Sequence, residues 1–203
     1  MMFHNREDAA NQLIIALKQF RHENAVVLAI PRGGVPLGKK ISEALHFPLD
    51  ISLIKKIGHP ANKEFAIGAV GLEDEFFTET ERTVSRDYVD EEIDKVREKL
   101  QKRYHQYMGD RHPVSLKNKT VIIVDDGVAT GSTLLATVQM VQHQDAAKII
   151  VAVPVGAPAA IRKLRTVADD VICLETPTDF RAVGQFYENF EQVNDREVIE
   201  MLH

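Results

Sequence analysis

The sequence predicts an α/β domain: a central parallel sheet flanked by helices. Three observations carry that expectation. Unbroken apolar runs of strand length occur at residues 25–30, 121–124 and 149–153. Helical patterns, not hairpin turns, separate most of them. Strands buried on both faces read as continuous β-branched runs, and a parallel neighbour requires a helical crossover. Finally, 203 residues with 44% hydrophobic content suffice for one core.

Each element follows from its pattern. Residues 8–20 place Ala9, Leu13, Ile14 and Leu17 on one helical face. The run 25–30 is a buried strand, and 35–45 is a helix after a Gly-rich turn. Residues 50–54 form a second short strand. Residues 65–71 and 75–80 form a hairpin turned near Glu73 and Asp74. Residues 87–107 give the strongest helix, with Val89, Ile93, Val96, Leu100, Tyr104 and Tyr107 in one stripe. A strand at 120–124 leads into a helix from Thr133. A strand at 148–153 should end at Pro154, because proline cannot donate to a ladder. A helix at 157–167, a strand at 170–174 and a helix at 194–202 close the chain, the last capped by Asn194 or Asp195. The whole is expected as a single domain, 1–203. Residues 57–118 form a loop, hairpin and long-helix insertion, and 176–203 a small hood.

Charge and cysteine content exclude several classes. The net charge is -5 and no basic stripe is visible, so no nucleic-acid partner is expected. The lone Cys173 lies in an apolar run and cannot form an internal disulfide, which suits a reducing cytoplasm. No signal peptide is evident, and no apolar run approaches the roughly 20 residues that span a bilayer.

The most specific stretch is TVIIVDDGVATGST, residues 120–133. A buried strand delivers Asp125 and Asp126 to its carboxyl end. A Gly-containing loop then opens a helix. Carboxylates accept hydrogen bonds from sugar hydroxyls, and helix-start amides hold a phosphate. That pairing suits a ribose 5-phosphate. A plain strand end explains acids and glycines singly, but not their coincidence at this spacing.

This stretch resembles the phosphoribosyl-pyrophosphate (PRPP) motif of type I phosphoribosyltransferases: an apolar strand, two acids, then Thr-Gly-x-Thr. The resemblance implies the type I fold, with a small hood and a β-hairpin insertion. It implies that Asp125 and Asp126 hold the ribose hydroxyls and touch Mg²⁺ through water or PRPP. Ala129, Thr130, Gly131, Ser132 and Thr133 would wrap the 5-phosphate. A second match is IPRGGVPLGKK, residues 30–40. In the family the loop after the first core strand binds pyrophosphate, which implies that role for Arg32, Gly33 and Gly34. Lys55 and Lys56 follow the second strand, where the family commonly places a basic residue near pyrophosphate. They precede the excursion in which it keeps a mobile catalytic loop. Lys56 is therefore a candidate catalytic residue.

The family's reaction is displacement at the anomeric carbon of PRPP by a nitrogenous acceptor. Hypoxanthine–guanine members carry an aspartate before the Thr-Gly, where this chain has Ala129, and adenine-specific members tolerate alanine there. The acceptor is thus left open. Residues 180–190, FRAVGQFYENF, are the candidate hood. Phe180, Val183, Phe186 and Tyr187 are of the type that stacks on a base. A closing strand and helix would explain the same segment. Dimers are common in the family, so a homodimer is compatible, although no interface signature is visible.

Two alternatives stand beside the transferase. A PRPP-binding regulator would use the same loops without catalysis. A Walker-type triphosphatase is suggested by Gly33–Lys39, which satisfies G-x-x-x-x-G-K. Against the latter, Lys40 replaces the metal-ligating Ser or Thr, and Pro36 removes an amide from the cradle.

Overall fold

The computed structural model describes residues 2–203. In chain order the regular elements are α1 (Arg6–Leu17), β1 (Ala25–Ala29), α2 (Gly34–Leu45), β2 (Leu49–Ile51), β3 (Lys55–His59), β4 (Asn62–Val70), β5 (Glu75–Phe77), α3 (Arg86–Met108), β6 (Thr120–Val124), α4 (Ser132–Gln142), β7 (Lys148–Val155), α5 (Pro158–Leu164), β8 (Asp170–Glu175) and α6 (Asp195–Leu202). They group into two compact units. One comprises residues up to Ser52 with His112–His203, the other Leu53–Arg111.

The larger unit is built on a parallel sheet in the order β2-β1-β6-β7-β8. Side chains alternate across it. Ile122 and Val124 face a core that includes Leu13, Leu17, Leu37 and Ile41 of α1 and α2. Val121 and Ile123 face a second core with Leu134 and Val138 of α4 and Ile161 and Leu164 of α5. Burial on both faces explains why these strands are apolar runs. The chain leaves β1 outward to β2 and returns on the other side as β6. The order therefore reverses between β1 and β6, and ligands of open α/β sheets bind beyond the strand ends at such a switch point.

Most elements fall where the sequence places them; the exceptions have local causes. α1 starts earlier, because Asn5 Oδ1 accepts the Asp8 amide at 2.9 Å and caps the helix. The strand expected at 50–54 ends at Ile51, beyond which β1 has no further partner residue to offer. β7 runs past Pro154 instead of ending there. The β7–β8 ladder omits Pro154 and resumes at Val155 with Glu175, so the missing donor removes one rung only. Val153 and Val155 are both fully buried and hold the strand in place. α5 is shorter than the periodicity suggested. α6 is closed by a capping box between Asn194 and Glu197.

The smaller unit is an antiparallel sheet, β3-β4-β5, with α3. The hairpin between β4 and β5 is present, but β3 is a correction. Residues 57–60, expected to begin a mobile loop, lie in a strand and a tight turn. Gly58 marks a register shift in the ladder, where an added Cβ would lie 2.1 Å from the Lys63 carbonyl oxygen. Pro60 takes the turn. Tyr88 of α3 donates its hydroxyl to the Gly58 carbonyl at 2.8 Å, and Arg97 pairs with Glu75.

Candidate functional site

β1 and β6 are hydrogen-bonded neighbours, paired to Ala29 with Val124. Their following loops therefore start at one level of the sheet. The Ile30 amide donates to the Val124 carbonyl at 2.9 Å and extends the pairing.

After β6 come the two acids. Asp125 Oδ1 accepts the Asp126 amide at 2.9 Å. Asp126 Oδ2 accepts Arg6 Nε at 2.9 Å and lies 2.8 Å from a second Arg6 nitrogen. The Arg6 and Asp126 side chains are only 12% and 13% exposed. Burial pushes the Asp125 carboxyl well up from its usual range, and the Asp126 charge adds to the shift. Burial also raises Asp126, against the opposing pull of Arg6. Desolvation disfavours a carboxylate, and a like charge beside it compounds the effect.

The loop after β1 packs directly on this pair. A Cβ on Gly33 would stand 2.1 Å from Asp126 Oδ2, so only glycine admits the carboxylate here. Arg32 is about one-third exposed and lies 3.6 Å from Asp195. A cavity of about 350 Å³ is lined by Arg6, Arg32, Gly33, Asp126, Phe190, Gln192 and Val193.

Beyond the acids, the Val128 amide and carbonyl are pinned to Val155 and Ala157 at 2.9 and 2.8 Å. Ala129 and Thr130 are exposed. Gly131 adopts φ +76°, a left-handed conformation natural to glycine, and turns the chain into α4. The first-turn amides of α4, from Ser132 and Thr133, are of the kind that lacks intrahelical partners and can meet an anion.

The acid pair, Arg32, Gly33, Gly34 and residues 129–133 thus share the carboxyl edge of β1 and β6. Val183 covers Gly127, where an added Cβ would lie 2.5 Å from Val183 Cγ1. Lys55 and Lys56 lie on β3 of the smaller unit, both exposed. The hood needs one correction. Tyr187 is buried, and its hydroxyl donates to the Asp126 carbonyl at 2.7 Å. It braces the acid pair and does not present a stacking face. Phe180 and Phe186 stack on each other at 5.3 Å and pack against the core.

The triphosphatase reading loses its loop. α2 already starts at Gly34, so Lys39 sits within a helix and pairs with Glu43 at 3.4 Å. Among the described residues no group of three or more His, Cys, Asp or Glu could hold a metal. The acid pair alone fits Mg²⁺ of the kind shared between one or two carboxylates and substrate phosphates. Among the described residues no helix is long and apolar enough to cross a membrane.

A model of the phosphoribosyl transferase domain matches residues 3–191. The chain belongs to that family. A relative from Mycobacterium tuberculosis H37Rv, named "Putative phosphoribosyl transferase Rv0571c", is 38% identical over 206 residues, 99% of this chain and 46% of its own length. The chain thus spans about half the length of the curated relatives it matches. The crystal structure of TT1426 from Thermus thermophilus superposes with a TM-score of 0.90 at 37% identity, covering 100% of this chain and 98% of that one. A hypoxanthine-guanine phosphoribosyltransferase from Bacillus anthracis gives a TM-score of 0.51 at 14% identity, covering 88% and 85%; it shares the fold.

Within this phosphoribosyl transferase fold, sequence reasoning missed Arg6. Its partner lies 120 residues away. One signal was present: Arg6 is the first residue of α1, where the helix dipole disfavours a cation and Glu7 and Asp8 are the expected type.

Proposed function

We propose that this chain transfers a phosphoribosyl group from PRPP to a nitrogenous base or related small acceptor, with Mg²⁺, and releases pyrophosphate. One observation carries the reading: two partly buried carboxylates stand beside two glycine-bearing loops at one switch point of the sheet. Asp125 and Asp126 would accept the ribose hydroxyls with the oxygens that Arg6 does not hold. The amides of residues 130–133 would hold the 5-phosphate. Arg32 and the amides near Gly33 and Gly34 would receive pyrophosphate; a guanidinium fork matches phosphate oxygens. Asp125 and Asp126 would hold Mg²⁺ through water or the ribose oxygens, where it offsets the charge of the leaving group.

In this reaction the bond from the anomeric carbon to pyrophosphate oxygen breaks, and its electron pair leaves with pyrophosphate. The acceptor nitrogen bonds to the same carbon. The protein acts by positioning and by charge placed in advance. Ala129 carries no proton, so proton transfer is not asked of that position. Lys55 and Lys56 remain candidates for a charge near pyrophosphate, with Lys56 the catalytic one. Val183 is the candidate contact on the acceptor side.

The test is pyrophosphate release from PRPP and Mg²⁺ with a pooled set of purine and pyrimidine bases, alongside an Asp125→Asn, Asp126→Asn double variant. Base-dependent release that the variant loses supports the transferase, and dividing the pool names the acceptor. PRPP binding without release for any acceptor would favour a PRPP-binding regulator. No PRPP binding at all would end the reading.

A further inference from the structure

We infer that Arg6 is a positioning residue that locks Asp126 and the hood segment into one unit, an inference resting on the reading of Asp126 as a ribose ligand. Three contacts converge on one guanidinium. Nε and one terminal nitrogen hold Asp126 Oδ2 at 2.9 and 2.8 Å. The other terminal nitrogen donates to the Glu191 carbonyl at 2.7 Å. The guanidinium carbon lies 4.0 Å from the centroid of the Phe190 ring.

Together these contacts fit arginine and no other residue. Two of its nitrogens converge on one carboxylate oxygen while the guanidinium plane lies over an aromatic ring. Bonding at Oδ2 directs Asp126 Oδ1 away from Arg6. The arrangement is also supported from behind. Residues 3 and 4 pair with the hood: the Phe3 amide donates to the Phe186 carbonyl at 2.8 Å, and the Glu188 and Asn189 amides donate to Phe3 and His4 carbonyls at 2.9 Å. The start of α1 is therefore carried on the segment that Arg6 binds. Without Arg6, Asp126 keeps its place in the chain but loses its orientation and the opposite charge that holds it. Truncating one partner of a buried pair leaves the other uncompensated.

The experiment measures PRPP–Mg²⁺ binding by calorimetry for the parent, Arg6→Lys and Arg6→Gln, each well below its unfolding midpoint. Hydrogen exchange at the amides of residues 189–193 is followed in parallel. Arg6→Gln should raise the PRPP Kd by about tenfold or more, the scale of a lost charge-assisted bond. Arg6→Lys keeps the charge but loses the fork and the ring contact, so its Kd should fall between those of the parent and Arg6→Gln. Exchange at 189–193 should quicken in Arg6→Gln. A merely structural role would lower the midpoint of both variants while leaving the Kd alone. Folded Arg6→Gln with parental affinity overturns the inference, as do equal losses in both variants with unchanged exchange. If the parent itself fails to bind PRPP, the transferase reading fails separately. The Arg6 lock is then judged on exchange: quickened exchange supports the tie to the hood, and unchanged exchange overturns it.

Discussion

Gly33→Ala puts the site reading under direct load. The new methyl would stand 2.1 Å from Asp126 Oδ2, 2.5 Å from Cγ and 2.9 Å from Oδ1. Ordinary contact needs about 3.5 Å, so the carboxylate must retreat by more than about 1 Å. The backbone offers no other source of cost. Gly33 has φ -61° and ψ -33°, which alanine adopts freely, and the substitution stiffens the unfolded chain by about 0.4–1 kcal/mol in favour of folding. Against this stands a weakened charge-assisted contact to Arg6, on the order of 1.5–3 kcal/mol. The net loss is about 1–2 kcal/mol, or a midpoint roughly 2–8 °C lower for a chain of this size. The variant should stay folded at room temperature. Function should suffer far more, because misplacing a positioning group by about 1 Å costs about 100-fold. Calorimetric titration with PRPP and Mg²⁺ should therefore give a Kd raised by roughly two orders of magnitude, with turnover falling alongside. Gly34→Ala is the contrast: its methyl meets the Val124 carbonyl oxygen at 2.5 Å, backbone that cannot swing aside, so the midpoint should fall first. A folded Gly33→Ala protein binding PRPP like the parent would refute the assignment of Asp126.

Three further outcomes follow from the same geometry. Burial and the Asp126 charge hold the Asp125 carboxyl above its usual range, so the folded state favours its protonated form. That contribution is present in full below the ordinary carboxylate range and lost as pH rises through the raised value. Asp125→Asn should accordingly be more stable than the parent at neutral pH, with the gap closing on acidification. Urea titrations at both pH values measure it, and a less stable variant at neutral pH contradicts the account. Tyr187→Phe leaves the Asp126 carbonyl without its 2.7 Å donor and should cost about 1 kcal/mol of stability; an unchanged midpoint in a thermal scan would be inconsistent with that bond. Gly131→Ala forces a side chain into φ +76° and toward Ala160 Cβ at 3.2 Å. It should lose about 1–2 kcal/mol and weaken PRPP binding through the phosphate loop, which calorimetry reads directly.

The β1 and β6 loops were legible because their information is local. An apolar strand, an acid pair and a helix start lie within a short stretch of chain, and both loops follow the carboxyl ends of buried strands, where ligands of open α/β sheets bind. Long-range pairing was not legible. Arg6 meets Asp126 across 120 residues, and nothing near either residue names the other. Tyr187 looks like a stacking aromatic in sequence, but its hydroxyl is committed to the Asp126 carbonyl. β3 was hidden by Gly58 and Pro60, since a glycine that serves a ladder irregularity has the same letter as one that ends a strand. Pro154 misled in the opposite sense. The rule against proline in a ladder holds for one rung, while burial of its neighbours decides whether the strand continues.

The acid pair also shows where this fold accepts instability. Two adjacent carboxylates are partly buried at the end of β6, and the guanidinium of Arg6 is bonded to one of them. Packing alone would favour a neutral pair. Groups with strongly shifted ionisation concentrate where charge is used. A ligand bringing sugar hydroxyls and a divalent cation would supply further donors and positive charge to the pair. Binding would then offset the cost of burying these charges in the folded state, so stability and affinity become linked. The unfolding midpoint should rise with PRPP–Mg²⁺ concentration in the parent and fail to rise in the Asp125→Asn, Asp126→Asn variant, whose ligand-free fold gains from neutralising Asp125 and loses from leaving Arg6 without its carboxylate.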